Sequence, residues 1–420
     1  MTVISSSSPD ILDSSAPHVS RHGFYCVLAF VIWTVLLRLV LPFGDEPDFT
    51  VRAVELVEEE DYPPWAPYNW LRWLLDPIDV KSFCKQDASP IAIFGQIDSI
   101  TCSEPLEQIV FRIVLTVICC SPLLWVVVYR SSLHKMLDVL GLHLKAKELN
   151  QRLDALGASL LIPGMIYYLG LLSHEQFSLA ISLLISVVWG SWLLVILFAV
   201  YTAALDIGNG AIIFAFLVMY AIVFNVWKFF GSKGLIIFLL GALVVFFIGS
   251  YDLLSYVQVI TLLSDKAESI YRKSLNADYL DKYPAILRPV ITYITAIFMT
   301  PSGIKAVPAQ LMFAFVSIVG INRLLKNFRK KSGPTYDFLS KSDLELFDLG
   351  ATQILPMIAA LTTILGFSLM LPDYANAKYY MFLVPFILLP FMSVFGRLPR
   401  LLFMNASCAI VLVFLGFQYV

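Results

Sequence analysis

Three carboxylates, Asp45, Glu46 and Asp48, follow directly on an apolar run that ends near Leu41. Charge at the mouth of a membrane helix is costly unless it meets a wet cavity, a partner charge or a substrate. Pro47 stiffens the turn between them, and Arg52 follows Asp48 by four residues. A carboxylate held against a low-dielectric wall can act as general base toward a hydroxyl group. The same cluster also reads as a solvated loop start that keeps a helix end in water. His174 and Glu175 sit in a tight turn between two apolar runs, Arg272 and Arg288 in a later polar stretch, and Lys378 and Tyr379 at the opening of another apolar run. Cations at the same depth as the carboxylates could hold a phosphate or pyrophosphate, Arg in bidentate fashion. A base beside a pyrophosphate clamp is what displacing a polyprenyl pyrophosphate from a sugar requires. Each group has a plainer reading too. Glu175 suits the positive end of a helix dipole, and His174 suits a solvated turn. Arg272 and Arg288 could pair with the acidic stretch after Leu41, and Lys378 could anchor at an interface.

The elements that must position these groups are membrane helices. The chain is 59% hydrophobic and 14% charged, where globular proteins carry roughly 25% charged residues. A soluble core of that composition is excluded, because its surface would have too few polar groups. Apolar runs near the ~20 residues needed to cross a bilayer recur along the whole length. They cover about 24–41, 109–128, 156–172, 177–189, 192–205, 211–227, 235–250, 306–321, 351–371, 379–395 and 401–419. The expected fold is therefore an all-α polytopic membrane protein with about eleven transmembrane helices. Residues 24–420 form one membrane domain, and the polar, Ser-rich 1–23 is expected to be a disordered cytoplasmic N-terminus.

Basic loops favour the cytoplasm. With the N-terminus inside, the Lys- and Arg-rich segments 129–155, 228–233, 322–350 and 396–400 all fall inside. The acidic loop 43–107 and a second long loop, 251–303, fall outside, and so does the C-terminus. The basic segment Arg130 to Leu156 is expected to lie as an amphipathic helix on the inner surface. The runs 177–189 and 192–205 are each short for an upright span, and whether they are two helices or one bent helix is open. Asp206 to Gly210 reads as an external turn. All the candidate chemical groups then share the external face, at helix ends.

Cys26, Cys119, Cys120 and Cys408 lie in apolar runs and are expected to pack as small hydrophobes. Cys84 and Cys102 lie in the first long loop, where an external location lets them pair as a disulfide. No spacing resembles a metal site, and the sequence itself requires no cofactor; a divalent cation enters only through the resemblance below.

Several stretches carry a resemblance. The motif Gly44-Asp-Glu-Pro-Asp48 after a first span, followed by a long outer loop, resembles the GT-C class of membrane glycosyltransferases. The run from Leu161 to Glu175, with its Pro163, Tyr167-Tyr168 and acidic turn, resembles the same class. It is also similar to bacterial polysaccharide repeat-unit polymerases of the Wzy type. Ala377-Lys-Tyr-Tyr-Met-Phe-Leu-Val-Pro385 resembles the basic-Tyr-then-Pro segment near the end of both groups, with Lys378 where the family pattern often has Arg. The resemblance implies a GT-C-like architecture in a bacterial inner membrane. It also implies transfer of a sugar or oligosaccharide from a polyprenyl-linked donor on the external face. Asp45 or Glu46 would be the base, and His174 with Glu175 would shape the acceptor or a divalent-ion site. The implied product is an O-antigen, capsule or exopolysaccharide polymer. The alternatives are a GT-C enzyme adding a single sugar and a lipid-linked sugar transporter or flippase. The expected partners are polyprenyl-(pyro)phosphate-linked sugars, membrane lipid and other polysaccharide-assembly membrane proteins, with no nucleic acid. An outward-facing, bridged first loop predicts that Cys84 and Cys102 resist alkylation until the protein is reduced. Free thiols in the mature protein would refute the bridge.

Overall fold

The computed structural model describes residues 20–40, 106–139, 146–171, 174–248, 319, 348–370, 377–392 and 404–409. The described residues are helical apart from short turns, with no strand among them. The helices are α1 (Arg21–Val40), α2 (Leu106–Val128), α3 (Arg130–Val139), α4 (Ala146–Ser159) and α5 (Pro163–Gly170), then α6 (His174–Ile185), α7 (Trp192–Leu205), α8 (Ile207–Ile248), α9 (Asp348–Met370) and α10 (Val384–Met392). A 3-10 helix, Ala377–Leu383, leads into α10, and residues 404–409 are helical.

The outer surface is apolar. On α1, Phe24, Leu28, Ile32 and Leu36 recur every four residues and all are exposed, so they form one stripe along the helix. On α7, Trp192, Leu193, Ile196, Leu197 and Val200 do the same. Continuous apolar stripes of this kind fit lipid and not water. Ile207–Gly231 is 25 residues long, about 37 Å at 1.5 Å per residue, and is apolar enough to cross a bilayer core of ~30 Å. It is the one unbroken helix among the described residues that meets both conditions; bent pairs counted as single spans bring the number to 3.

Four hydroxyls inside the bundle are satisfied within their own helices. Ser182 Oγ donates to the Leu179 carbonyl at 2.8 Å, Ser186 Oγ to Leu183 at 2.7 Å, Thr202 Oγ1 to Phe198 at 2.8 Å and Thr363 Oγ1 to Ala359 at 2.8 Å. Bonding back to the preceding turn lets a polar residue sit in apolar surroundings without an outside partner.

Several expected spans take a different form. The 156–172 run is broken. α4 ends in tight turns through Leu160 and Leu161, and Pro163 opens α5 at an 80° bend. Pro suits that first position, because its missing N–H would have no helical partner there. α2 and α3 likewise meet at 87°. The expected surface-lying helix from Arg130 to Leu156 is two helices, and the second is enclosed by protein. Every residue from Arg152 to Ser159 is buried, with α1, α2 and α10 packed around α4. Ala155 and Ala158 supply the small face on which Leu389 rests.

The run 177–205 is two helices. α6 and α7 pack against each other as a hairpin through a turn at Gly190, whose φ is 100°. The expected turn over 206–210 shortens to one residue. Asp206 is extended, and its carboxylate accepts the Gly208 N–H at 2.8 Å, capping α8. α8 joins the expected sixth and seventh spans through a break at Gly231, where φ is 64° and ψ −160°. The tenth span begins as a 3-10 helix. None of the four apolar-run cysteines is in a disulfide, and Cys26, Cys120 and Cys408 are buried as expected, with Cys119 half-buried.

α7 and α8 come close at Gly210, where an added Cβ would lie 2.3 Å from Ala203 Cβ. Gly210→Ala should therefore force the helices apart and cost about 1–3 kcal/mol, as overpacking does. Gly241→Ala, with open space around it, should not. Thermal melting of the two variants in detergent separates them.

Candidate functional site

Helix α4 carries charge into the bundle. Arg152 is 5% exposed, and its guanidinium donates to Glu148 Oε1 at 2.5 Å and to the Val187 carbonyl at 3.1 Å. It also donates to the Trp189 carbonyl. Glu148 and Arg152 are one helical turn apart, so the pair forms on a single face. The two carbonyls belong to the turn that ends α6. Trp189 in that turn packs its ring on Phe216 and Tyr220 of α8 and on Phe386 of α10, with centroids 5.4, 4.8 and 4.9 Å away.

A second buried group lies two residues further on. Arg130 Nη2 is 2.6 Å from Asp154 Oδ1, an ion pair not aligned as a hydrogen bond. Arg130 also reaches the Val127 and Asn150 carbonyls at 3.4 and 3.5 Å. His22 Nε2 lies 4.0 Å from the same Asp154 oxygen and 3.8 Å from Cys26 Sγ. These donors are committed to protein acceptors, so both groups work as struts between helices and not as groups held open for a ligand. Gln353 Nε2 donates to Gln151 Oε1 at 2.6 Å, tying α9 to the same helix.

The third polar group lies where α5 ends and α6 begins. α1 and α2 run antiparallel, joined by Ser20 N–H to the Val128 carbonyl at 3.1 Å. Thr116 Oγ1, about half-way along α2, donates to the Gly170 carbonyl at 3.3 Å. Gln176 Nε2 donates to the Leu169 carbonyl at 2.6 Å. The opening turn of α6 is thus recessed to the mid-height of α2 and does not lie level with its end. Asn209, at the start of α8, donates through Nδ2 to Ser178 Oγ at 3.0 Å. Gln176 Oε1 and Asn209 Oδ1 are buried and have no hydrogen-bond partner. Turning the Gln176 amide over would set its oxygen against the Leu169 carbonyl, so an unpaired acceptor there is unavoidable.

His174 and Glu175 form the first turn of α6, and Lys378 and Tyr379 lie in the 3-10 helix. These two elements pack against each other, so the chain brings both expected pairs to neighbouring elements. Asp45, Glu46, Asp48, Arg52, Cys84, Cys102, Arg272 and Arg288 lie outside the described residues. α1 ends at Val40, five residues before Asp45, a stretch of chain that reaches at most about 18 Å. Among the described residues no three His, Cys, Asp or Glu side chains gather as metal ligands.

Arg130, Arg152 and Asp154 are buried within the bundle, charges that the sequence pattern assigns to a segment on the inner membrane surface. The available signal was the Glu148–Arg152 spacing within a segment that otherwise reads as a cytoplasmic loop. Gln176 and Asn209 had no sequence signal of their own. Comparison with protein-family models, with curated proteins and with solved structures yields no match.

Removing one partner of a buried ion pair strands the other. Arg152→Met should destabilise the protein by about 3–5 kcal/mol. The double variant Glu148→Gln/Arg152→Met should recover part of that loss. Melting midpoints of the two variants test the coupling.

Proposed function

We propose that this protein transfers glycosyl groups within the membrane from a polyprenyl-linked donor, and that its product is a polymer of lipid-linked oligosaccharide repeat units. The observation that carries this reading is the packing of α6, opened by His174 and Glu175, against the 3-10 helix that holds Lys378 and Tyr379. Asp45, Glu46 and Asp48 follow α1 closely in sequence. The unpaired acceptors of Gln176 and Asn209 near the same elements suit a hydroxyl-rich substrate.

In this reading Asp45 or Glu46 removes the proton of an acceptor hydroxyl. The acceptor oxygen forms a bond to the sugar C1, and the C1–O bond to the polyprenyl pyrophosphate breaks. The leaving pyrophosphate takes the electron pair, and its charge is met by Lys378, Arg272 or Arg288. Arg52, Asp48 and Tyr379 complete the polar surroundings, and Glu175 with His174 orients the acceptor or holds a divalent cation. A GT-C enzyme that adds one sugar would use the same chemistry.

A second reading, a lipid-linked sugar transporter in the inner membrane, gains support from the bent helix pairs. Broken helices are common in transporters. The surface-glycan ladder of cells lacking the gene separates the readings. Loss of the long ladder with a single capped repeat unit left means polymerase. A ladder of altered mobility means a single-sugar transferase. In a purified assay with lipid-linked repeat units, Asp45→Ala or Glu46→Ala should lower product about 10²–10⁴-fold, the usual worth of a general base, while the protein still accumulates. Full product from both single variants and the double variant would remove the catalytic assignment. Substrate crossing vesicles without any glycosidic bond forming would favour the transporter.

A further inference from the structure

The long α8 changes direction at Gly231, and the residues around that break are unlike the rest of the helix. Phe229 and Phe230 are 69% and 72% exposed, more than most other large apolar side chains in the bundle. Lys228 and Lys233 flank them, and both are exposed. Lys228 Nζ lies 5.7 Å from the centre of the Phe229 ring. Trp227 and Phe224 pack together one turn earlier at 6.3 Å.

This corner closes the 25-residue apolar stretch that is long enough to span a bilayer. Beyond it, exposed Ile236, Ile237 and Leu240 resume an apolar surface. A spanning helix meets headgroups where its apolar stretch ends. Aromatic rings and lysines are the side chains suited to that depth, the ring lying among acyl carbons and the ammonium reaching the phosphates. A left-handed backbone position at Gly231 turns the chain there without carrying a side chain into the corner.

We propose that Lys228, Phe229, Phe230 and Lys233 form a docking site for the headgroups of anionic phospholipids. The occupant follows from charge complementarity. The corner offers two ammonium groups within six residues and no carboxylate from Phe224 to Phe246. The exposed rings beside them suit the acyl region directly below a headgroup. A zwitterionic headgroup would gain less, because its own cation opposes the lysines. None of the four residues belongs to the expected catalytic set, so their variants leave glycosyl transfer intact.

Native mass spectrometry of the detergent-solubilised full chain, titrated with phosphatidylglycerol or phosphatidylcholine, counts the bound lipids directly. Lys228→Gln and Lys233→Gln should each weaken phosphatidylglycerol binding about fivefold, the usual effect of one lysine near an anionic surface. Phosphatidylcholine binding should not change. Phe229→Ser/Phe230→Ser should weaken both lipids. All four side chains are exposed, so the variants should melt with the wild type. Equal phosphatidylglycerol binding by wild type and Lys228→Gln/Lys233→Gln would overturn the proposal. A photo-cross-linking residue at position 229 that captures a polypeptide in native membranes, a second copy or another chain, would overturn it too, because the corner would then be a protein interface.

Discussion

A guanidinium enclosed by protein in an apolar setting must find acceptors for its N–H groups, and Arg152 finds them on two different elements. Glu148 comes from its own helix, and the Val187 and Trp189 carbonyls come from the turn that ends α6. Those carbonyls have no partner further along their own helix, because α6 stops there. The buried cation and the helix end thus satisfy each other, and neither could be buried alone without a penalty of several kcal/mol. The position of α6 relative to α4 follows from that exchange. So does the placing of Trp189, whose ring then fills the space between α8 and α10.

The same helix makes its other attachments by the same means. Asp154 draws in Arg130, which holds the start of α3 against α4. Gln151 accepts from Gln353 and fixes α9. Apolar contacts alone give little direction to helix association in lipid, where the surrounding solvent is as apolar as the side chains. Polar pairs on α4 supply the direction, and small residues such as Gly157, Ala155 and Ala158 let neighbours close in. The bends at Ile162 and Gly231 belong to this pattern. A broken helix can bring its ends into the protein interior, where side chains and carbonyls complete its hydrogen bonds.

The apolar runs made the helices legible. α1, α2, α7 and α9 lie close to the runs at 24–41, 109–128, 192–205 and 351–371. Hydropathy reports how a residue partitions between water and apolar surroundings, so it marks segments and not their partners. It could not show that α4 is enclosed. Ala146–Ser159 is as polar as a cytoplasmic loop, and its burial depends on acceptors contributed from residues 187 and 189 and on the Arg130 guanidinium that meets Asp154. Nor could it show the bend before Pro163, because the residues on both sides are apolar. His174–Glu175 and Lys378–Tyr379 were picked out by residue type. That their two elements are neighbours rests on the packing of α6 with the 3-10 helix, a contact across some two hundred residues. The amides of Gln176 and Asn209 were invisible for a further reason. An isolated Gln or Asn in an apolar run gives no period and no charge to read.

Those two amides are among the places where the hydrogen-bond accounting of the described bundle does not close; the buried Thr34 hydroxyl is another. The hydroxyls of Ser182, Ser186, Thr202 and Thr363 bond back to their own helices, and Arg152 is met by Glu148 and two carbonyls. Against that background Gln176 Oε1 and Asn209 Oδ1 stand without donors. A buried acceptor left unpaired costs about 1–3 kcal/mol. The Gln176 amide is held by its nitrogen to the Leu169 carbonyl, which can only accept, so its oxygen is fixed in direction; the Asn209 amide meets the Ser178 hydroxyl. An acceptor fixed in this way is already oriented when a donor arrives. Water can supply the missing donor, and so can the hydroxyl of a bound ligand. The recessed opening of α6 puts one of these acceptors two residues from His174, on the element that the proposed reaction uses to orient its acceptor.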